Sequence, residues 1–389
     1  MKVYRVGGSV RDELLGRTVA DHDYVVVGAT PETMRKLGFR PVGRDFPVFL
    51  HPDTHEEYAL ARTERKSGRG HRGFSFHAAP NVTLEEDLGR RDLTINAMAR
   101  GEDGALIDPF GGQRDLREGV LRHVGPAFAE DPLRVLRVAR FAARFAFAVA
   151  PETEALMRAI VARGELTTLS VERVWQELAK ALMEATPSRF FSTLRRCGAL
   201  AQLLPEVDAL FVKWSRKGPA AGMGVLRAVD RAAATDEPLA VRYAVVAGAL
   251  ADATRVRERL AEALSRRLNV PTDCRELARL AARLSARVER ATALTPAALL
   301  DLLLAIDALR RPERLDGLLR VCAVWRRAER GVAGRNGLAA ARLTEALRIV
   351  RGVKLGPHAA DQPRRTDIVR RVRFARLKAL REWMKKAPT

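Results

Sequence analysis

Hydrophobic residues change their spacing once along this chain. Over the first ~120 residues the apolar runs are short, β-branched or alternating, and broken by glycine and proline, as in strands joined by loops. "KVYRVGG", "DYVVVG", "FPVFLHP" and "EEYALAR" predict strands, and "SVRDELLG" and "TPETMRKLG" predict short helices. Thr30-Pro31-Glu32 supplies a helix start with proline in the first turn, and Gly38 supplies a stop. From about Ala127 onward the apolar positions recur at helical spacing, as in "DPLRVLRVARFAARF", "PETEALMRAIVARG", "SVERVWQELAKALME" and "PSRFFSTLRRCG". The pattern predicts an α+β fold, with a mixed-sheet head followed by an all-helical neck, body and tail. The expected divisions are a head at 1–125, a first helical domain at 126–212 and a helical body and tail at 213–389. No internal repeat and no long low-complexity linker interrupts them.

Composition narrows the class. A chain of 389 residues, 47% hydrophobic and 30% charged, has room for several domains and the balance of a soluble globular protein. No apolar run reaches the ~20 residues a membrane span needs. The N-terminus lacks the apolar core and cleavage site of a signal peptide. Cys197, Cys274 and Cys322 are far apart and none sits in a C-x-x-C, so neither a disulfide framework nor a zinc site is expected. A reducing cytoplasm fits that usage. Lys plus Arg number 68 against 47 Asp plus Glu, a formal charge of +21. Such an excess favours a polyanionic partner, most simply nucleic acid, although an arginine- and alanine-rich composition also follows from GC-rich coding. Aromatic residues are only 6%, which argues against a base-stacking sheet.

Candidate chemistry begins in "GGSVRDELLGRTVADHDYVVVG". On a strand, Asp21 and Asp23 project to the same side and His22 to the other. Two adjacent carboxylates repel unless a divalent cation lies between them. Magnesium accepts such a site, binding through one or two carboxylates plus substrate phosphates. Read alone, the pair also fits a surface turn that happens to carry two acids. The preceding glycines strengthen the metal reading: Gly7 and Gly8 let a phosphate approach the backbone, and Arg11 adds a fixed positive charge. Phosphate cradle and acid pair together describe a metal-dependent nucleotidyl-transfer site. A third carboxylate is available in "HEEYALAR", where Glu57 is preferred over Glu56.

Four motifs in order, "GGSVRDELLG…DHDYVVVG", "RRDLTINAMA", "DPFGGQRDL" and "EDPLRVLRVARFAARF", make the reading specific. Together they resemble the class II CCA-adding tRNA nucleotidyltransferases, within the bacterial poly(A) polymerase family and the polymerase β-like superfamily. The resemblance is strong over residues 1–210 and weaker beyond. It implies addition of C-C-A to the tRNA 3′ end from CTP and ATP without a template. It implies phosphate contacts at Gly8 and Arg11, magnesium at Asp21 and Asp23, and nucleotide binding by Arg91, with Asp92 and Asn96 near the sugar. Asp92 and Asn96 also fit helix capping and loop hydrogen bonding. Asp108 in "DPFGG" reads as mainly structural.

Asp131, Arg134, Arg137 and Arg140 recur every third residue along one drifting helix face. Leu133, Leu136 and Phe141 could bury the rest of that helix, aiming the arginines at a cleft. The resemblance assigns Asp131 and Arg134 to the incoming base, and Arg137 and Arg140 to nucleotide binding. The pair suits C and A, which both present an amine donor beside an unprotonated ring nitrogen; U and G present the reverse. The loop "RTERKSGRGHRGFSF", residues 62–76, is expected to be irregular and flexible. The basic segment "RRTDIVRRVRFARLKALREWMKK" fits either a solvated helix face or contact with RNA phosphates. The implied partners are tRNA, CTP and ATP, with no membrane and no protein partner.

Many relatives of this kind carry an HD phosphohydrolase domain, whose metals need clustered histidines and aspartates. Here no histidine lies between His123 and His358. The segment "VRYAVVAGALADATR" offers only Asp252, without a histidine beside it. Phosphohydrolase chemistry is therefore not expected. His51, His55, His71, His77 and His123 show no ligand spacing, and no nucleophilic triad is apparent.

Overall fold

The computed structural model describes residues 1–19, 21–42, 48–66, 74–212, 221–251, 253–330, 336–353 and 365–386. His71, Asp252 and His358 lie outside the described residues. The chain forms two compact units, Met1–Leu203 and Leu204–Thr389. The expected division at 125/126 falls inside the first of them.

The first unit opens with β1 (Lys2–Val6), α1 (Gly8–Leu14), β2 (Asp23–Val27), α2 (Pro31–Lys36), β3 (Arg40–Pro41), β4 (Val48–Leu50) and β5 (Glu57–Leu60). It continues through β6 (Arg62–Lys66), β7 (Phe74–Ala78), α3 (Leu84–Gly89), β8 (Ala99–Gly101), β9 (Leu106–Ile107), α4 (Gly112–Glu118) and β10 (Val120–Leu121). Seven strands form one mixed sheet in the order β3-β4-β5-β2-β1-β8-β9. β2 and β5 are parallel, and the other neighbours antiparallel. Period-two alternation sends Val25 to one face, with Val6, Ala61, Leu88 and Ala99. It sends Val26 to the other, with Met34, Phe49 and Leu60. Met34 comes from α2, which starts as its sequence predicts: Thr30 Oγ1 accepts the Thr33 N–H at 3.2 Å and Pro31 opens the first turn.

Two expectations change. Residues 62–66 and 74–78 are not irregular: β6 and β7 pair antiparallel, from Arg62 opposite Ala78 to Lys66 opposite Phe74. Glycines 68, 70 and 73 outweighed the β-branched and aromatic residues on either side of them; residues 67–73 themselves lie outside the described residues. Asp21 is not on a strand either, because β2 begins at Asp23.

Asp108 caps α4. Its two oxygens accept the N–H groups of Gly112 and Gln113 at 2.7 and 2.9 Å. A Cβ on Gly112 would sit 2.3 Å from the Thr94 carbonyl oxygen, so this glycine lets the helix pack directly on the "RDLTINA" segment.

The rest of this unit is helical: α5 (Leu133–Phe145), β11 (Ala148–Val149), α6 (Pro151–Ala162), α7 (Val171–Met183), α8 (Ser188–Arg196) and α9 (Ala199–Leu203). The short β10–β11 pair is parallel. Leu133, Val135, Leu136, Val138, Ala139, Phe141 and Ala142 of α5 are buried, and the helix packs on α7 and α8.

The second unit is all helical: α10 (Pro205–Val212), α11 (Ala221–Ala234), α12 (Leu239–Ala247), α13 (Thr254–Arg267), α14 (Thr272–Glu289), α15 (Pro296–Ile306), α16 (Glu313–Arg330), α17 (Asn336–Gly352) and α18 (Arg365–Lys386). α14 packs against α12, α13 and α16. The segment that stands where an HD pair would lie, and that is expected to lack one, runs through α12, where Val241, Tyr243, Ala244, Val245, Val246 and Ala247 are core. Among the described residues no helix is long and apolar enough to cross a membrane.

Candidate active-site cleft

β1 passes into α1 through Gly7, whose φ of +73° and ψ of −128° belong to glycine. A Cβ there would lie 2.7 Å from Arg91 Nη1, so the same glycine admits the arginine. Arg11 is buried under Gly8. Its Nε and Nη2 donate to both oxygens of Asp12, at 2.9 and 3.0 Å, and its Nη1 donates to Asn96 Oδ1. The rings of Phe141 and Phe145 lie 5.3 and 5.0 Å from the guanidinium carbon. Burial lowers the Arg11 pKa, against the opposing effect of Asp12. Arg11 is thus a strut between α1 and the floor of the cleft as well as a source of charge.

The "RRDLTINA" segment supplies that floor. Burial would push the Asp87 carboxyl up, but Arg90 at 2.9 Å and Arg91 at 3.4 Å hold it below its ordinary value. Arg91 Nη1 also donates to the Asn96 carbonyl at 3.3 Å, while its buried Nε has no partner among the described residues. Asp92 is buried too. It accepts from Arg137 Nε at 2.7 Å, Asn96 Nδ2 at 2.9 Å and its neighbour Leu93 N at 2.9 Å. Against the cost of burial, Arg137 and these hydrogen bonds bring its pKa down to about 2, and Asp92 in turn raises that of Arg137.

A depressed carboxylate stabilises the fold above its unfolded pKa and loses that contribution as pH falls through the folded value. An Asp92→Asn variant should therefore be less stable than wild type by about 2–3 kcal/mol at neutral pH. The gap in urea midpoints should close as pH falls from its ordinary 3.8 toward about 2. A gap that stays constant over that range would show that the Asp92–Arg137 pair does not carry it.

The neck helix forms the other wall. Asp131 Oδ1 accepts the Leu133 N–H at 3.1 Å, which fixes the start of α5, and Oδ2 accepts from Arg173 Nη2 at 2.8 Å. The Arg134 guanidinium donates to the carbonyls of Arg90 (2.5 Å), Ala127 (3.0 Å) and Arg91 (3.4 Å). Arg140 is buried and donates to Glu177 of α7 at 2.7 Å. Arg144 donates to Asp12 at 3.0 Å, tying the end of α5 to α1. On Arg137, Nε bonds Asp92 and the guanidinium carbon lies 5.6 Å from the centre of the Phe141 ring; its terminal nitrogens have no hydrogen-bond partner among the described residues.

These walls enclose a cleft of about 570 Å³. Gly8, Arg11, Asp23, Arg91, Asp131, Arg134, Arg137 and Arg140, all singled out in the sequence, line it together. Its lining counts eight arginines and three aspartates, a charge balance suited to a triphosphate. Among the described residues, neither Asp21 nor Glu57 is part of that lining; both are exposed. Glu57 does stand beside Asp23, its register partner in the parallel β2–β5 pair, and so shares its side of the sheet. Glu56 instead lies before β5 and accepts from Thr54 Oγ1 at 2.8 Å. No cluster of three His, Cys, Asp or Glu side chains is preassembled among the described residues. Arg90, Arg144 and Arg173 also line the cleft, and Glu177 positions Arg140. Nothing local marks Arg173 or Glu177, because their partners are 42 and 37 residues away.

A mixed sheet bearing this cleft against a basic helix defines a nucleotidyltransferase head of the poly(A) polymerase type. Residues 3–122 match the family described as the poly A polymerase head domain, and residues 146–211 match the probable RNA and SrmB-binding site of polymerase A. The multifunctional CCA protein of Dechloromonas aromatica is 53% identical over 400 residues, covering 98% of this chain and 97% of that protein. That of Chromobacterium violaceum is 58% identical over 340 residues, 83% of each. Among solved structures, the Bacillus stearothermophilus CCA-adding enzyme in complex with CTP is 27% identical, with a TM-score of 0.62 over 88% of this chain and 77% of that one. The chain belongs to the family of the multifunctional CCA proteins.

Proposed function

We propose that this chain is a cytoplasmic tRNA nucleotidyltransferase that adds or repairs the 3′-terminal CCA from CTP and ATP without a template, releasing diphosphate. The observation that carries the reading is one cleft that brings Gly8 at the start of α1 and Asp23 of β2 together with Asp131, just before the neck helix, and Arg134 within it. The division of labour follows the chain: chemistry from the head (1–125), base reading from the neck (126–212), and RNA contact from the helical remainder (213–389).

Gly8 leaves space for the triphosphate to approach the main chain. Arg91 and the terminal nitrogens of Arg137 bind its oxygens, while Arg11 and Arg140, held by Asp12 and Glu177, keep the walls in place and add charge. Asp21, Asp23 and Glu57 are exposed carboxylates, hard oxygen donors that suit magnesium, and they would hold it. Bound there, the metal lowers the pKa of the attacking tRNA 3′ hydroxyl and offsets charge on the phosphates. Asp131 accepts a hydrogen from the exocyclic amine of C or A, and Arg134 donates to the neighbouring ring nitrogen. U and G would set carbonyl against carboxylate and N–H against guanidinium, leaving polar groups unpaired in a closed site.

Incubation of tRNA lacking CCA with labelled CTP and ATP tests the reading. The expected product carries C, C and then A. Incorporation of A alone, or long A tails, would place the chain among A-adding enzymes or poly(A) polymerases on the same scaffold. A 2′,3′-cyclic phosphate should survive incubation with the protein and nickel or magnesium, since α12 offers core side chains where an HD pair would stand; hydrolysis would overturn that expectation.

A further inference from the structure

Between α13 and α14 the second unit carries a groove of about 600 Å³ whose lining is entirely charged. Arg255, Arg259 and Arg266 come from one face of α13, and Arg275 and Arg279 from one face of α14. Two of the three carboxylates there are already engaged. Glu262 is paired with Arg266 at 2.8 Å, and Glu276 with Arg314 and, at 3.6 Å, with Arg311. Arg255, Arg259, Arg275 and Arg279 then face Glu258 alone, none of the five side chains having a hydrogen-bond or ion-pair partner among the described residues.

Packing does not account for these arginines. The two helices bury Ala261, Leu264, Leu277, Leu280 and Ala281 on other faces. Like charges gathered in a groove repel one another until an anion enters. Within each helix the paired arginines are one turn apart, about 6 Å along the axis, so each wall presents a row rather than a single point. A guanidinium fork matches a phosphate in two hydrogen bonds. The lining has no apolar side chain, so it lacks the buried anchor that protein interfaces use.

We propose that this groove binds the phosphodiester backbone of the tRNA, in the part of the chain that lacks the histidines of a phosphohydrolase. The proposal rests on the tRNA reading above.

The test is binding of the full-length protein to tRNA lacking CCA, across a range of salt. Replacing Arg255, Arg259, Arg275 and Arg279 together by glutamine should raise Kd at least ~10-fold near physiological salt. The slope of log affinity against log salt should become shallower by about 2 to 3. Incorporation at limiting tRNA should fall by about the same factor as the affinity. Glu258→Gln should tighten binding about twofold or more, a gain that misfolding cannot produce. Unchanged Kd and slope in the arginine variant would overturn the proposal and leave the groove to an acidic protein partner. An unchanged or weaker Kd in Glu258→Gln would equally count against it. Wild-type protein that binds tRNA but never extends it would overturn the enzymatic reading instead, while the binding comparison still decides the groove.

Discussion

Asp23→Asn should reduce incorporation of C and A into tRNA by about a thousandfold or more, with tRNA affinity within a few-fold of wild type. The substitution changes charge and hardly changes shape. Asp23 is exposed at the first position of β2, where its backbone pairs with Val6 and Glu57. Its side chain has no hydrogen-bond partner among the described residues, so the fold should lose little. An asparagine at that place gives up the anionic oxygen that a magnesium ion requires. Asp21→Ala should act in the same direction. Filter binding of tRNA and labelled-nucleotide incorporation, measured on the same samples, separate the two effects. Activity that survives either change would refute the metal role of that residue.

Arg134→Ala should lower discrimination of CTP and ATP against UTP and GTP by about a hundredfold or more, as a ratio of kcat/KM values. Affinity for the triphosphate, read with a non-hydrolysable analogue, should stay within about tenfold. The Arg134 guanidinium holds the carbonyls of Arg90, Arg91 and Ala127. Its loss should therefore also cost about 1–3 kcal/mol of stability. Arg134→Lys separates the two roles: a lysine can recover part of the carbonyl bonding, but it lacks the planar fork. It should regain stability and remain unselective. An equal loss of activity with all four nucleotides would show that Arg134 acts on the fold and not on the base.

Much of the head was legible because its signals are local. The β-branched run in "DYVVVG" gives β2, Thr30 and Pro31 start α2, and Gly7 at φ +73° is a conformation its residue type announces. The three-residue spacing put Arg134, Arg137 and Arg140 of α5 on the cleft wall, but Asp131 is not on that helix: it stands extended before Pro132 and reaches the same cleft as it holds the Leu133 N–H. Residues 62–66 and 74–78 misled for the converse reason. Glycines nearby read as loop, whereas cross-strand pairing made β6 and β7. Asp21 and Asp23 were placed on one strand by period two, but β2 starts only at the second of them.

By itself, the sequence determined many of the elements, which helix face carries the basic residues, and that two acids and a glycine pair lie close in the chain. These follow from backbone preference and from periodicity, which act over a few residues. Only the tertiary structure decided what each charge faces. Arg11 meets Asn96 across 85 residues, Arg137 meets Asp92 across 45, and Asp131 meets Arg173 across 42. A buried charge is stable only with a partner, and that partner is chosen by how the sheet, the "RRDLTINA" segment and the neck helix pack, not by neighbours in the chain.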